Sequence, residues 1–397
     1  MTHLLLAGLV GLLPHVVEAP AETILLRDRQ GTIDARLVGF EPGGARILVE
    51  APAPSPAVPG DGEPDAATVP DSPPAVARVV PWDRIRGIEG IEDPVLESQW
   101  ATRWRGVSED LWRARSRLQR GDRALAEPLF ARHFELVTSD PEGSELALVV
   151  AEGLLRSRLR SGEVEALVPA ALETVRLRRA GFETDRYRAL PAVIDERLWL
   201  VPRLAPVPTR VDLDPTSMRS MVRRWSDDPD EVVSGLARAY ARMHDPPDAL
   251  LLGGEEPAGP SLVLAALATR SSDPTQRAAA RERFRSLVPG MDAEPVYAPW
   301  RGWFLGTSAL LEADPLLDPA LLELLALPAE HLHHDPALAI RALSVGADAL
   351  DAAGRGGEAA VLRREITRLD FTVAPALPAA LGHDLPASDA PSEEETR

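Results

Sequence analysis

Residues 118–130 read LQRGDRALAEPLF, in which a glycine and an aspartate separate two apolar helical patterns. Glycine ends a helix readily because it adopts a positive φ without strain, and aspartate caps the helix that follows. A similar order recurs at 159–171 (LRSGEVEALVPAA) and at 350–366 (LDAAGRGGEAAVLRREI), around Gly162 and Gly354. The three stretches predict helical hairpins, each made of two helices and a short glycine turn.

Apolar residues recur at helical spacing on both sides of these turns, and nothing from 95 to 372 shows the alternation of a strand. This part of the chain is therefore predicted to be entirely helical. The apolar stripes are Leu148, Ala151, Leu155 and Leu159; Val164, Leu167, Ala171 and Val175; Ala339, Leu343, Gly346, Leu350 and Ala353; and Ala359, Leu362, Ile366 and Leu369.

Asp-Pro dipeptides punctuate the same region. Aspartate accepts hydrogen bonds from the free amides of a first helical turn, and proline at the first helical position loses no hydrogen bond. Each dipeptide therefore predicts a helix start. The nine aspartates are Asp93, Asp140, Asp214, Asp228, Asp245, Asp273, Asp314, Asp318 and Asp335.

Gly121, Ala126 and Phe130 lie where tetratricopeptide-type helical hairpins place a turn glycine, a small residue and an aromatic residue. The chain here resembles that family in a degenerate form. Gly121 and Gly162 are 41 residues apart, whereas tetratricopeptide repeats recur about every 34 residues. The resemblance implies an α-solenoid or an irregular α/α architecture.

Before residue 93 the pattern has the period of two that is typical of strands. The alternating runs predict a five-stranded barrel or half-barrel, SH3-like in size. Trp82 is predicted to close its core, with ligand stacking as the alternative. Residues 51–75 hold eight prolines and are predicted to form a disordered insertion. The runs lie at 23–26, 32–38, 46–49, 77–80 and 85–88.

The N-terminal apolar run, LLLAGLVGLL at 4–13, is about half the length of a membrane-spanning helix. Ala19-Pro20-Ala21 fits the small-x-small cleavage pattern of a signal peptide. The sequence therefore predicts export, with a mature chain that starts at Glu22. A buried N-terminal helix is the alternative.

The predicted fold class is mainly α with a small N-terminal β module. Its organisation comprises a signal peptide at 1–21, a small β-barrel-like domain at 22–92, tetratricopeptide-like hairpins at 93–200, a Pro-rich linker at 201–213, a second helical half at 214–372 and a disordered acidic tail at 373–397.

Three residue types are absent, namely lysine, asparagine and cysteine, so all 43 basic residues are arginine. The lack of lysine excludes P-loop nucleotide sites, Schiff-base enzymes and S-x-x-K acyl enzymes. The lack of cysteine excludes thiol proteases, iron–sulfur clusters, disulfides and lipoprotein anchors. The lack of asparagine excludes N-glycosylation.

A net charge of -18 argues against nucleic acid as a partner, because that affinity depends on cationic groups. One stretch is rich in arginine, but its own acids balance the charge. We interpret it as a solvated helix face with ion pairs, and an anion-binding patch is the alternative. These arginines are Arg156, Arg158, Arg160, Arg176, Arg178 and Arg179.

The only histidine cluster is His331, His333 and His334, next to Glu330 and Asp335. Imidazoles two residues apart could share a metal with either carboxylate. However, the segment precedes an Asp-Pro helix start and is predicted to be a connecting loop, and a zinc site needs three or four convergent ligands. Whether these histidines bind a metal stays open. His133 shares a helical face with Ala126, Phe130 and Val137, and we interpret it as a core histidine.

The eight tryptophans could be core residues or platforms for sugars. Trp100, Trp104 and Trp112 share a helical face, and Trp300 and Trp303 form a second pair. We interpret both groups as packing residues. No zincin, nucleophile-elbow or dinucleotide motif is present. The sequence therefore assigns no catalytic, cofactor-binding or metal-binding residue and no cofactor.

Together these features predict an exported, non-enzymatic scaffold or protein–protein interaction protein of a bacterial cell envelope, because hairpin arrays expose extended binding surfaces. The expected partner is a protein, and no integral membrane segment is expected after cleavage. Two alternatives stay open. One is a helical-toroid enzyme that acts on carbohydrate with a carboxylate pair. The other is a cytoplasmic adaptor, if the N-terminus is not cleaved.

Overall fold

The computed structural model is mainly helical (61%), with a small N-terminal antiparallel sheet followed by a helical array, which confirms the predicted fold class. It divides into two compact units, Met1–Glu109 and Asp110–Arg397. The segments at 1–21, 51–75 and 373–397, for which a signal peptide, an insertion and a tail are predicted, lie outside the described residues. The structure describes residues 22–27, 31–49, 76–210, 213–250, 256–287, 296–312, 317–333 and 335–369.

The first unit contains a five-stranded antiparallel sheet in the order β4-β3-β2-β1-β5, and all five predicted strands are present. A short 3-10 turn, Trp82–Arg84, joins β4 to β5. This arrangement is compatible with the SH3-like module expected from the sequence. The strands are β1 (Glu22–Leu26), β2 (Thr32–Glu41), β3 (Gly44–Val49), β4 (Val76–Pro81) and β5 (Ile85–Glu89).

Alternation of side chains explains which residues form the core of this sheet. Ile24 of β1 pairs with Ile33 of β2 on one side and with Ile88 of β5 on the other. Ile24 and Ile47 are almost completely buried, as a period of two requires for residues on one face. At the turn between β2 and β3, Gly44 lies against the backbone carbonyl of Val80, where any Cβ atom would collide.

An aromatic cluster, consisting of Phe40, Trp82, Trp100 and Trp104, completes the core of the first unit. Trp82 stacks on Trp104 with ring centroids 4.9 Å apart, and it stacks on Trp100 at 6.0 Å. The indole of Trp82 is fully buried and donates to the carbonyl of Glu41 at 3.0 Å. The packing interpretation is therefore confirmed for Trp82, Trp100 and Trp104.

Thirteen α-helices are described, and neighbours in sequence pack against each other from α3 to α5, α6 to α9 and α10 to α13. A π-helical turn, Trp100–Trp104, separates α1 from α2. The helices are α1 (Pro94–Gln99), α2 (Arg105–Gln119), α3 (Arg123–Val137), α4 (Glu145–Arg158), α5 (Val164–Arg179), α6 (Pro215–Ser226), α7 (Glu231–Ala241), α8 (Ala258–Ala268), α9 (Pro274–Leu287), α10 (Ala298–Leu310), α11 (Leu317–Glu330), α12 (Pro336–Ala352) and α13 (Gly356–Arg368).

The three predicted hairpin turns are confirmed. Gly121 lies between α2 and α3, Gly162 between α4 and α5, and Gly354 between α12 and α13. Their φ angles are 87°, 67° and 73°, in the left-handed region that favours glycine. At Gly121 the amide of the next residue, Asp122, donates to the carbonyl of Arg117, five residues back, which is the Schellman arrangement.

The Asp-Pro rule holds at four positions, where the helix begins at the proline and the aspartate caps it: Asp93, Asp214, Asp273 and Asp335. Asp318 lies within the first turn of α11. At Asp140 and Asp228 the dipeptide forms a turn, and the cap comes later, from Ser144 and Asp230. Asp245 precedes only the 3-10 turn Pro247–Ala249. Asp314 lies outside the described residues.

A long non-helical stretch joins α5 to α6, and residues 180–210 of it are called the connecting segment below. A Pro-rich linker is predicted at 201–213, and residues 201–207 of the segment are buried except for the half-buried Arg203. Side chains from the helices satisfy its carbonyls: Tyr240 of α7 donates to Leu204 at 2.9 Å, and Trp300 of α10 donates to Pro202 at 2.6 Å. Buried backbone groups need such partners because water cannot reach them.

Candidate functional site

The second unit, Asp110–Arg397, is called the helical unit below. It contains a cavity of about 790 Å³, a volume typical of small-molecule sites. Five parts of the fold line it: the glycine turn between α2 and α3, the end of α4, the connecting segment, the start of α10 and the stretch between α11 and α12. Most of its wall is apolar and includes Leu118, Leu159, Leu190, Val193, Pro202 and Pro299. We take this cavity as the candidate site.

Arg156 forms a fixed part of the wall. Its guanidinium donates twice to one carboxylate oxygen of Glu152, at 2.6 and 2.8 Å, and once to the carbonyl of Pro191, at 2.8 Å. Glu152 is fully buried beneath it. Glu152 also pairs with Arg178 at 2.7 Å, and Arg178 lies 3.5 Å from Glu196, so these four charges balance. The role of Arg156 is to hold the connecting segment against α4.

Arg123 and Arg203 also line the cavity, but neither side chain has a hydrogen bond or an ion pair within the described part of the chain. The Nε of Arg203 is completely buried and has no acceptor there. Burial lowers the pKa of Arg203. Asp335 partly offsets that effect, and the positive charge of Arg123 adds to it. Two guanidinium groups without an ion pair among the described residues thus line one largely apolar space.

Asp335 supplies the negative charge that acts on Arg203. Its Oδ1 accepts the amide of Leu338 at 3.0 Å and so caps α12. Burial raises the pKa of Asp335, although Arg203 and Arg341 attract its charged form. The two guanidinium groups lie beyond ion-pair distance, since no salt bridge of Asp335 occurs in the described ranges.

One member of the histidine cluster, His331, lies at the same cavity. His331 and Glu330 line it together with Asp335, and the Nε2 of His331 lies 3.8 Å from a carboxylate oxygen of Glu330. His334 is outside the described residues. Among the residues that are described, no three histidine or acidic side chains are placed to hold a metal ion.

A second polar cluster surrounds the buried Glu165 of α5. Its carboxylate accepts the backbone amides of Thr209 and Arg210, at 2.8 and 3.0 Å, and the hydroxyl of Thr209. His244 lies 3.1 Å from the same carboxylate. Burial alone would raise the pKa of Glu165, but these hydrogen bonds outweigh it and lower the pKa to about 2. The arrangement fastens the end of the connecting segment to α5.

The arginine-rich stretch forms ion pairs at five of its six positions. The expected pairing is confirmed, but the expected solvated face is wrong for two of the four acids, Glu152 and Glu173, which are fully buried. Glu173 also accepts from the indole of Trp225 at 2.8 Å. The pairs are Arg156–Glu152, Arg158–Glu127, Arg176–Glu173, Arg178–Glu152 and Arg179–Asp230.

An apolar groove of about 440 Å³, called the C-terminal groove below, runs along α11, α12 and α13. Buried Leu321 and Leu350 form part of it. Leu322 of α11 and Val361 of α13 also line it, and they are 74% and 52% exposed. Large apolar side chains at that exposure, next to one groove, are typical of a contact surface.

Among the residues that the structure describes, tryptophan and histidine side chains provide no further site. None of the eight tryptophans, all of which are described, is exposed, and Trp300 and Trp303 are buried in α10. His133 is buried with Ala126, Phe130 and Val137, which confirms it as a core histidine. Its Nε2 lies 3.1 Å from Asp110.

Sequence reasoning missed the groups that matter most here, namely Arg123, Arg203 and Glu165. A signal for Arg203 was available, because it is the only charged residue in the run VPRLAPVPT at 201–209. Glu165 follows the glycine turn of a predicted hairpin and has the pattern of an ordinary first-turn acid. Its partners are 44 and 45 residues away, so no local pattern reveals them.

Comparison with family models, with curated proteins and with solved structures found no match for the chain. No described helix is both long enough and apolar enough to cross a membrane.

Proposed function

We propose that this chain is an exported, non-enzymatic interaction protein of a bacterial cell envelope, which binds a partner protein through its helical unit. The observation that carries the proposal is the C-terminal groove, with Leu322 and Val361 exposed on its two outer helices. Burying the part of these two side chains that is still exposed would stabilise a complex by about 1–2 kcal/mol each, before the cost of association.

The charges beside the groove define the partner further. Asp318 and Glu358 lie beside it and share one cation, Arg355. The chain as a whole carries a net charge of -18. Charge complementarity favours a partner with an apolar ridge flanked by basic residues, since opposite potentials speed association and exclude wrong partners.

The carbohydrate-enzyme alternative receives less support. Sugar sites of that type need accessible aromatic platforms, and none of the eight tryptophans is exposed. The cavity wall includes the carboxylates Glu330 and Asp335, but it is otherwise mainly aliphatic residues, prolines and arginines and contains no tryptophan, tyrosine or phenylalanine.

The test compares two leucine variants of the exported protein. Leu322→Asp places a charge in the groove, and Leu125→Asp does the same at a leucine of α3 that is 56% exposed and lies outside it. Each protein is cross-linked in the envelope fraction of the source cells, and the captured proteins are identified by mass spectrometry. We expect a basic partner with the wild type and Leu125→Asp, and its loss with Leu322→Asp. Equal capture by both variants, or no specific capture by the wild type, would contradict the proposal.

Export is tested separately by N-terminal sequencing of the native protein. A chain that starts at Glu22 supports cleavage after Ala21. An intact Met1 or Thr2 would overturn the exported location and favour the cytoplasmic adaptor.

A further inference from the structure

The cavity has hydrogen-bond donors without acceptors. Arg203 keeps its Nε completely buried with no partner among the described residues, and Arg123 has no ion pair there either. A guanidinium carries five N–H donors, and a buried donor without an acceptor is costly. The donors that can face the cavity are the other N–H groups of Arg203 and those of Arg123, and a group with acceptor oxygens can pair with them.

The charge balance indicates how much negative charge that group should carry. Arg123 and Arg203 contribute two positive charges, and Asp335 contributes one negative charge. Arg156 and Arg178 are balanced together by Glu152 and Glu196. Glu330 lies at the edge of the cavity, with a side chain that is 71% exposed. The remaining charge of one matches a single carboxylate, whereas a phosphate monoester carries about 1.5 to 2 negative charges.

The walls indicate the rest of the molecule. The side chains around the arginines are aliphatic or proline, from Leu118, Leu159, Leu190 and Val193 among others. A volume of about 790 Å³ is large enough for an apolar body as well as the carboxylate. The planar fork of arginine suits a carboxylate because two parallel hydrogen bonds can form.

We propose that this cavity binds a molecule with one carboxylate on an apolar chain, and that Arg203 and Arg123 hold the carboxylate. The site is separate from the C-terminal groove and does not depend on the protein partner proposed above. The same chemistry has two sources, a free alkyl acid or the C-terminus of an apolar peptide, and the experiment distinguishes them.

The experiment measures binding to the full chain by isothermal titration calorimetry. The first arm compares decanoate with decanol and decyl phosphate. The second arm compares an apolar hexapeptide that has a free C-terminus with the same peptide amidated. The variants are Arg203→Met, which removes the buried charge, and Arg123→Gln at a half-buried position. Arg160→Gln is the matched control, because this arginine is exposed and does not line the cavity.

We expect one of the two acids to bind, about tenfold or more tighter than its uncharged analogue, because hydrogen bonds between charged groups are the strong ones. Arg203→Met and Arg123→Gln should each lower the affinity for that acid by about tenfold, and Arg160→Gln should lower it by less than about twofold. Circular dichroism establishes whether each variant is folded. If Arg203→Met does not fold, the affinity of Arg123→Gln alone tests the proposal.

Several results would overturn the proposal. They are binding of neither acid, equal binding of decanol or of the amidated peptide, tighter binding of decyl phosphate, and unchanged affinity in the folded arginine variants. If decanoate binds and the peptide does not, the source of the carboxylate is a free acid. If the peptide binds and decanoate does not, the source is the C-terminus of a peptide.

Discussion

Glu165→Gln keeps the size of the side chain at the base of the connecting segment and removes its charge. The carboxylate accepts the amides of Thr209 and Arg210 and the hydroxyl of Thr209, and His244 lies 3.1 Å away. Glutamine retains one acceptor oxygen and can still satisfy the two amides. The substitution therefore measures the charge and does not leave a cavity.

The expected magnitude follows from the pKa of Glu165. It is lowered from 4.5 to about 2 in the folded protein. At about 1.4 kcal/mol for each pH unit, the ionised carboxylate stabilises the fold by about 3 kcal/mol at pH 7. Because the folded pKa lies below the ordinary value, this stabilisation is complete above about pH 5. It is lost as the pH falls through 2, and roughly half of it remains at pH 3.

The assay is urea unfolding followed by circular dichroism at pH 7 and at pH 3. Glu165→Gln should unfold more easily than the wild type by about 3 kcal/mol at pH 7 and by about half of that at pH 3. Hydrogen exchange at the amides of Thr209 and Arg210 should accelerate in the variant. Glu163→Gln is the control, because this exposed glutamate lies two residues earlier on the same turn.

The control should change the free energy of unfolding by less than about 0.5 kcal/mol. If Glu165→Gln matches the control at pH 7, the carboxylate does not stabilise the connecting segment. If the difference between Glu165→Gln and the wild type is the same at pH 3 as at pH 7, the stabilisation does not come from an ionised group with a lowered pKa.

Three further substitutions test the fold. Trp82→Ala removes the fully buried ring that stacks on Trp104, and the free energy of unfolding of the first unit, measured in urea, should fall by about 3–5 kcal/mol. An unchanged near-UV circular dichroism spectrum would contradict the stacking. Gly121→Ala should cost about 1–2 kcal/mol because φ is 87°, although a Cβ atom meets nothing there. Its control, Gly106→Ala within α2, has equal space and should be neutral or stabilising in the same thermal melt. Gly259→Ala should cost about 1–3 kcal/mol, because its Cβ atom would collide with a backbone carbonyl of the connecting segment, and a melt equal to the wild type would count against that close approach.

The fold could be predicted from the sequence wherever the information is local. The five strands follow from alternation, and the hairpins follow from glycines whose positive φ a sequence pattern can anticipate. The Asp-Pro rule works at Asp93, Asp214 and Asp335 because capping involves only the next few residues. It fails at Asp140 and Asp228 because a second polar residue, closer to the helix, takes over the cap.

The candidate site could not be predicted in this way. Arg123 and Arg203 meet at one cavity although 80 residues separate them, and only the tertiary fold places them together. The sequence singled out the histidine cluster as a possible metal site. Two of its neighbours, Glu330 and Asp335, line the cavity. Composition revealed that arginine is the only strong cation available, but it could not reveal which arginines lack partners.

The connecting segment has a consequence for cooperativity. In an array whose hairpins touch only their neighbours, unfolding can begin at either end and proceed repeat by repeat. Here Trp300 binds the carbonyl of Pro202, 98 residues earlier, and Tyr297 binds Asp195, 102 residues earlier. Tyr187 binds Val149 of α4 from the same segment. Early and late helices thus bind the same buried connecting segment. We therefore expect the helical unit to unfold in a single transition. We also expect a chain truncated after residue 213 not to fold.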